Sequence, residues 1–397
     1  MVTYELTNKQ REFLGLDPVE DHWDRINLNG DKYRAESTLY FDGDTIKRYI
    51  VSIDDKYQEW QYDELSRDRT ILLPKTAKGK EKRLTASVLE QRQPMGVYVT
   101  VDSFGDLTIG SYNTQTTFYS TRWERRATAD KNSIADIVTE FINQSPENHL
   151  TEINAFRTST RKNVKFKAGD YFSFKINRTE FGFGRLLLDV NKARKQGLLP
   201  NHHGLGLLMG PPLIIQLFAY KSPVGKVDIS ELDSQTKLPA DVVMDNLLLY
   251  GEYDIIGHKD LKDDEFDFPI SYGRSIDQRR IVFLQWGLIH KELPNEHFNK
   301  YLVGDKAFDQ NPYGYYSIGF RPHYDTIALV KTISNNGIFD FDRVDHYKAK
   351  WDLRNPKNNE VKREIFNTFG LDPDKSYFEN CKLTGTALTT EFIRQLK

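Results

Sequence analysis

Apolar and polar positions alternate most clearly between Gly169 and Val190, in the stretch GDYFSFKINRTEFGFGRLLLDV. A period of two puts successive side chains on opposite faces of a pleated strand. The stretch therefore predicts two strands, 171–176 and 180–190, joined by the turn Asn177-Arg178-Thr179. Asn and Thr suit such a turn because their short polar side chains bond the local backbone. Gly182 and Gly184 alternate with Phe181, Phe183 and Arg185, which marks a bulge or a close approach of backbone.

Upstream, residues 5–16 predict a short amphipathic helix, with Thr7 as N-cap and Phe13, Leu14 and Leu16 on its apolar side. Gly15 and Pro18 stop it. Residues 38–41 and 45–53 flank Asp42-Gly43-Asp44, a strong local hairpin signal. Residues 57–62 add a third strand, 84–91 a short helix, and 97–101, 107–111 and 116–120 further strands. Ser133 opens a helix through Asn143, with Ile134, Ile137, Val138, Phe141 and Ile142 on one face. The polar stretch 144–163, with Pro146, is the best boundary.

From Lys165 the pattern is mainly strand: the hairpin, then 213–220, 247–257, 281–289, 315–320 and 326–333. The last 60 residues return to helical spacing. The expected fold is α+β and β-rich. An N-terminal α+β unit spans 1–150, and a mostly antiparallel curved sheet or barrel-like domain spans 160–340. A C-terminal helical segment covers 341–397. EFLGLDP at 12–18 is echoed by EIFNTFGLDP at 364–373, which reads first as reuse of one helix stop and second as a small repeated element.

Composition refines this picture. The chain has 397 residues, 21 tyrosines and 24 phenylalanines, and flat rings favour sheets. Acids and bases nearly cancel, for a net charge of −2, so no global field favours nucleic acid or an anionic membrane. The single cysteine, Cys381, excludes an intrachain disulfide and a thiolate-rich zinc site. The start, MVTYELTNKQREF, does not read as a signal peptide, and the apolar run 205–220 is broken by Gly206, Gly210, Pro211 and Pro212. A soluble, cytoplasmic protein without a cofactor is expected.

Candidate chemistry is sparse. Adjacent histidines such as His202-His203 point apart on an extended backbone and chelate one metal poorly. His290 and His297 lack a zinc motif. His323 and Asp325 share one side of a strand, but no GxSxG nucleophile accompanies them. The basic run 75–83 lacks the order of a phosphate-binding loop, and Arg122, Arg125 and Arg126 surround Trp123 without a nucleic-acid module. Asp260, Asp263, Asp264, Glu265 and Asp267 form a carboxylate run without the EF-hand pattern. It reads as a solvated acidic loop that can also face a basic partner.

The hairpin resembles the opening of the immunity protein 26 family of bacterial polymorphic toxin systems. The resemblance rests on Gly169-Asp170, Phe172, Phe174 and Phe183-Gly184-Arg185, and later on LYGEYDIIGH at 249–258 followed by Phe268-Pro269-Ile270. It covers about residues 164–335. It implies a mostly β, non-catalytic, cytoplasmic protein that binds a cognate toxin and neutralises it by occlusion. No catalytic residues carry over, and neither nucleic acid nor membrane is an expected partner. The acidic run, with Asp260, Asp263, Asp264, Glu265 and Asp267, is then the candidate surface for a basic toxin. The alternative is an enzyme of unknown type acting on a polar or carbohydrate substrate.

Overall fold

The computed structural model describes residues 4–123, 133–208, 210–274, 279, 281–298, 301, 326–341 and 352–396. The chain divides into two compact units, Met1–Asn163 and Val164–Lys397.

Helix α1 (Asn8–Phe13) opens the first unit. Thr7 caps it, and the Gln10 side chain returns the bond to the Thr7 amide. Strands β1 (Asp24–Leu28), β2 (Ser37–Asp42), β3 (Thr45–Ile53) and β4 (Lys56–Arg67) follow. A detour through β5 (Ile71–Leu72), β6 (Lys82–Arg83) and α2 (Ala86–Leu89) leads to β7 (Met95–Val101), β8 (Leu107–Ser111) and β9 (Thr116–Ser120). The order β1-β2-β3-β4-β7-β8-β9 is an antiparallel meander.

Helices α3 (Ile134–Asn143) and α4 (His149–Thr158) complete the unit. Alternation along β7 and β8 sends Val97, Val99, Val101, Leu107 and Ile109 to one face, against Leu14, Ile134, Val138 and Ile153 of the helical segments. The other face packs Leu39, Phe41, Tyr49 and Tyr62 against Leu72 and Leu89. Within the polar stretch taken as a boundary lies α4, whose only fully buried apolar side chain is Ile153. One such residue is too little to show a helical period.

Charge also fastens α1. Arg11 Nε lies 2.8 Å from Glu59 Oε1, and Arg48 Nε lies 3.3 Å from the same oxygen. All three side chains are buried. Burial lowers the pKa of Arg48, against the pull of Glu59.

The second unit begins with β10 (Asp170–Lys175), β11 (Phe181–Asp189) and α5 (Val190–Lys195). Next come β12 (Pro212–Ser222), α6 (Ile229–Asp233), β13 (Asp241–Met244), α7 (Asn246–Leu249) and β14 (Asp254–His258). These strands form an antiparallel sheet in the order β13-β12-β11-β10-β14. Strands β15 (Ile270–Arg274), β16 (Ile281–Trp286) and β17 (Ile289–Pro294) make a second one. Neither closes into a barrel, which corrects the barrel-like alternative. Helices α8 (Thr326–Ser334), α9 (Asn359–Thr368), α10 (Tyr377–Thr384) and α11 (Thr389–Gln395) follow. The core joins Leu187, Leu188, Ile214, Leu284 and Trp286 to Ile365, Phe366, Tyr377 and Phe392.

Three strand expectations are corrected here, and the first, 281–289, is broken by a turn at Gly287, φ +57°, between β16 and β17. Residues 326–333 are helical, and the hydroxyl of Thr332 bonds the Ala328 carbonyl. A short apolar run does not by itself distinguish a strand from a buried helix. Residues 247–257 split into α7, a turn with Gly251 at φ +74°, and β14. The expected strand at 315–320 lies outside the described residues.

The repeated Gly-Leu-Asp-Pro is a helix stop in both places. Gly15 and Gly370 take φ of +75° and +74°. Leu16 N–H donates to the Arg11 carbonyl at 2.9 Å, and Leu371 N–H to the Phe366 carbonyl at 2.8 Å. A left-handed glycine lets the chain turn back so that the next leucine is buried and caps the helix.

Candidate partner-binding site

Strand β10 puts Tyr171 on one face and Phe172 and Phe174 on the other, and β11 answers in register. Phe172 faces Gly184, where a Cβ would collide with the phenylalanine ring. Tyr171 faces Arg185, whose guanidinium carbon lies 4.7 Å from the tyrosine ring centroid. Arg185 is only 2 % exposed, a full charge set between Gly184 and the buried leucines 186–188 of the strand. The turn forms as predicted: Asn177 Oδ1 accepts from the amides of Thr179 and Glu180 at 2.9 and 2.8 Å.

The segment after β14 lies against this hairpin. Arg185 Nη2 donates to the carbonyls of Lys259 and Asp260 at 2.7 and 3.1 Å, and Nη1 to Glu265 at 2.9 Å. Gly169 has φ +95°, and a Cβ there would sit 2.5 Å from the Lys259 oxygen. Glycine is thus needed twice over, for conformation and for space. Asp170 holds His258 Nδ1 at 2.7 Å, and Asp260 holds Nε2 at 3.1 Å. Asp233 of α6 accepts from both the Tyr171 hydroxyl and the Lys259 ammonium.

Electrostatics favour this closed arrangement. Burial opposes ionisation of Glu265, but the Lys262 amide and the Arg185 guanidinium outweigh it and hold the pKa below the usual carboxylate range. Burial likewise opposes ionisation of Asp233, and bonds from Lys259 and Tyr171 prevail. Tyr171 is pushed well up, by burial first and then by its bond to Asp233.

The acidic run is therefore only partly a free surface. Asp260 is fully exposed beyond its contact with His258, and Asp264 is exposed. Asp263 accepts from the Thr390 amide and hydroxyl at 3.3 and 2.7 Å. Glu265 turns inward to Arg185, and Asp267 lies 3.7 Å from Arg354 Nη1.

His203 is a structural residue. Leu205 N–H donates to its Nδ1 at 3.2 Å, which leaves Nε2 to donate to the Leu288 carbonyl at 3.1 Å. His290 bonds Gln285 and Glu292, and burial lowers its pKa. Among the described residues no group of three or more His, Cys, Asp or Glu is placed to hold a metal ion. His323, Asp325, Arg125 and Arg126 lie outside the described residues. Arg122 pairs with Asp102 and Asp106, and Glu81 neutralises Arg67 and Lys75 near the basic run. Among the described residues no helix is long and apolar enough to cross a membrane.

Sequence reasoning missed Asp233, His258 and Lys259 as partners of the hairpin, and gave Asp170 and Arg185 no contact. The available signal was Arg185 itself, a charge between Gly184 and three leucines. Such a residue needs a buried counter-charge.

Residues 167–281 match the family model Immunity protein 26. The match confirms the resemblance over under a third of the chain. The matched segment runs from just before Gly169 to the first residue of β16 and contains Asp170, Arg185, Asp233, His258 and Glu265. Thr390 and Arg354, which hold Asp263 and Asp267, lie beyond it. No curated protein and no solved structure matches the chain.

Proposed function

We propose that this protein is an immunity protein that binds a cognate toxin domain and neutralises it by occlusion, without chemistry of its own. The observation that carries this reading is the match to Immunity protein 26 across the residues that hold segment 258–265 on the hairpin. An inhibitor of this kind covers a toxin's active site with a complementary surface, of roughly 1,200–2,000 Å² in ordinary stable complexes. We assign the contact to the acidic segment, with Asp260 and Asp264 presented outward and Asp263, Glu265 and Asp267 shaping it from behind. A basic partner such as a nuclease domain fits that charge.

The test is co-expression with the products of adjacent genes. A neighbour that is toxic alone, harmless with this protein, and recovered with it in a stoichiometric complex supports the reading. Toxicity that persists for every neighbour, with no complex formed, overturns it.

A further inference from the structure

After His258 the chain leaves the sheet, and residues 259–265 are held largely by side chains. One sheet-like backbone bond remains, from Lys259 N–H to the Gly169 carbonyl at 3.2 Å. The Arg185 fork binds both ends of the segment, the carbonyls of Lys259 and Asp260 at its start and the carboxylate of Glu265 at its far end. That carboxylate, Glu265, belongs to the segment itself, and its second oxygen accepts from Lys262 N–H at 2.7 Å, closing the turn. Arg185 Nε is buried without a hydrogen-bond partner. A buried guanidinium is tolerable only while a counter-charge faces it. Here the counter-charge it bonds rides on a piece of chain that the sheet barely holds.

We propose that residues 259–265 form a strap that opens as a unit, with Arg185 as its pin and Glu265 as the group that allows it to close. Closed, the strap sets where Asp260 and Asp264 stand. Its functional meaning rests on the partner-binding reading above, whereas its existence does not. Arg185 is a positioning residue: it shapes the surface without being part of it.

Hydrogen exchange read by mass spectrometry on the full chain, without a partner, tests the strap. Arg185→Lys keeps the charge but loses the fork, and Glu265→Gln keeps the shape but loses the counter-charge. Either change should raise exchange over 259–265 by about tenfold, the effect of weakening one charge-assisted bond. The amides of β10 and β11 should keep their wild-type rates, and Asp264→Asn should change nothing. Wild-type exchange over 259–265 in both variants overturns the proposal. So does exchange that rises only together with β10 and β11, because the segment then opens with the sheet. If Arg185→Lys does not fold, Glu265→Gln alone decides. Failure here leaves the toxin reading to its co-expression test, and failure there leaves the strap standing.

Discussion

Glu265 reaches back across 80 residues of sequence to place a carboxylate oxygen 2.9 Å from Nη1 of Arg185. This bond joins the β10–β11 hairpin to the acidic segment that follows β14. It turns one of five clustered carboxylates inward and leaves Asp260 and Asp264 as the outward charges.

Glycine at 169 should be irreplaceable without loss. Gly169→Ala forces a side chain into the left-handed region and against the Lys259 carbonyl. A cost of about 1–3 kcal/mol is expected, the usual range for a strained backbone position. Urea unfolding of the two proteins measures it, and equal midpoints would show that the backbone relaxes freely.

The outward carboxylates should govern encounter with a basic partner. Asp260→Ala with Asp264→Ala should slow association by about two- to tenfold at low salt, and much less at high salt, because exposed charges are screened. Stopped-flow mixing with the captured toxin domain reads this directly. A rate that is unchanged at low salt removes the acidic segment from the interface.

Stability should fall in acid through His203. Burial lowers its pKa to about 4, from an ordinary value of 6.5. The unfolded chain therefore takes up a proton between these values while the folded one resists it. The contribution is present in full above pH 6.5 and is lost as pH falls toward 4, amounting to about 3 kcal/mol. Urea unfolding at a series of pH values should show this slope, and His203→Gln should flatten it. An identical slope in the variant assigns the acid sensitivity elsewhere.

In the first unit Glu59 should be the most sensitive charge. Glu59→Ala leaves Arg11 and Arg48 buried side by side without the carboxylate they share. Breaking a buried pair in this way costs about 3–5 kcal/mol. Replacing Arg11, Arg48 and Glu59 together by apolar residues should cost less than Glu59→Ala alone. Circular dichroism during thermal unfolding compares the two, and the opposite order would mean the charges stabilise the unit outright.

Local rules were legible wherever neighbours in sequence are also neighbours in space. Thr7 and Ser133 cap the helices they precede, Gly43 turns the β2–β3 hairpin at φ +58°, and Asn177 organises the β10–β11 turn. The β-rich α+β class and the family resemblance of the hairpin followed from the same local pattern. The run 326–333 was misread because a short apolar stretch satisfies both periods, and contact of α8 with β12 accompanies the helical outcome. The acidic run was visible as composition, but which of its members face solvent was not.

The sequence by itself determined alternation, caps and turns, because these depend on residues a few positions apart. Only the tertiary structure decided that Asp170 meets His258, that Arg185 meets Glu265, and that Gly169 lies under Lys259. The physical reason is burial. A charge inside a sheet must find its counter-charge wherever folding brings one, and that distance in sequence is set by packing rather than by any local preference.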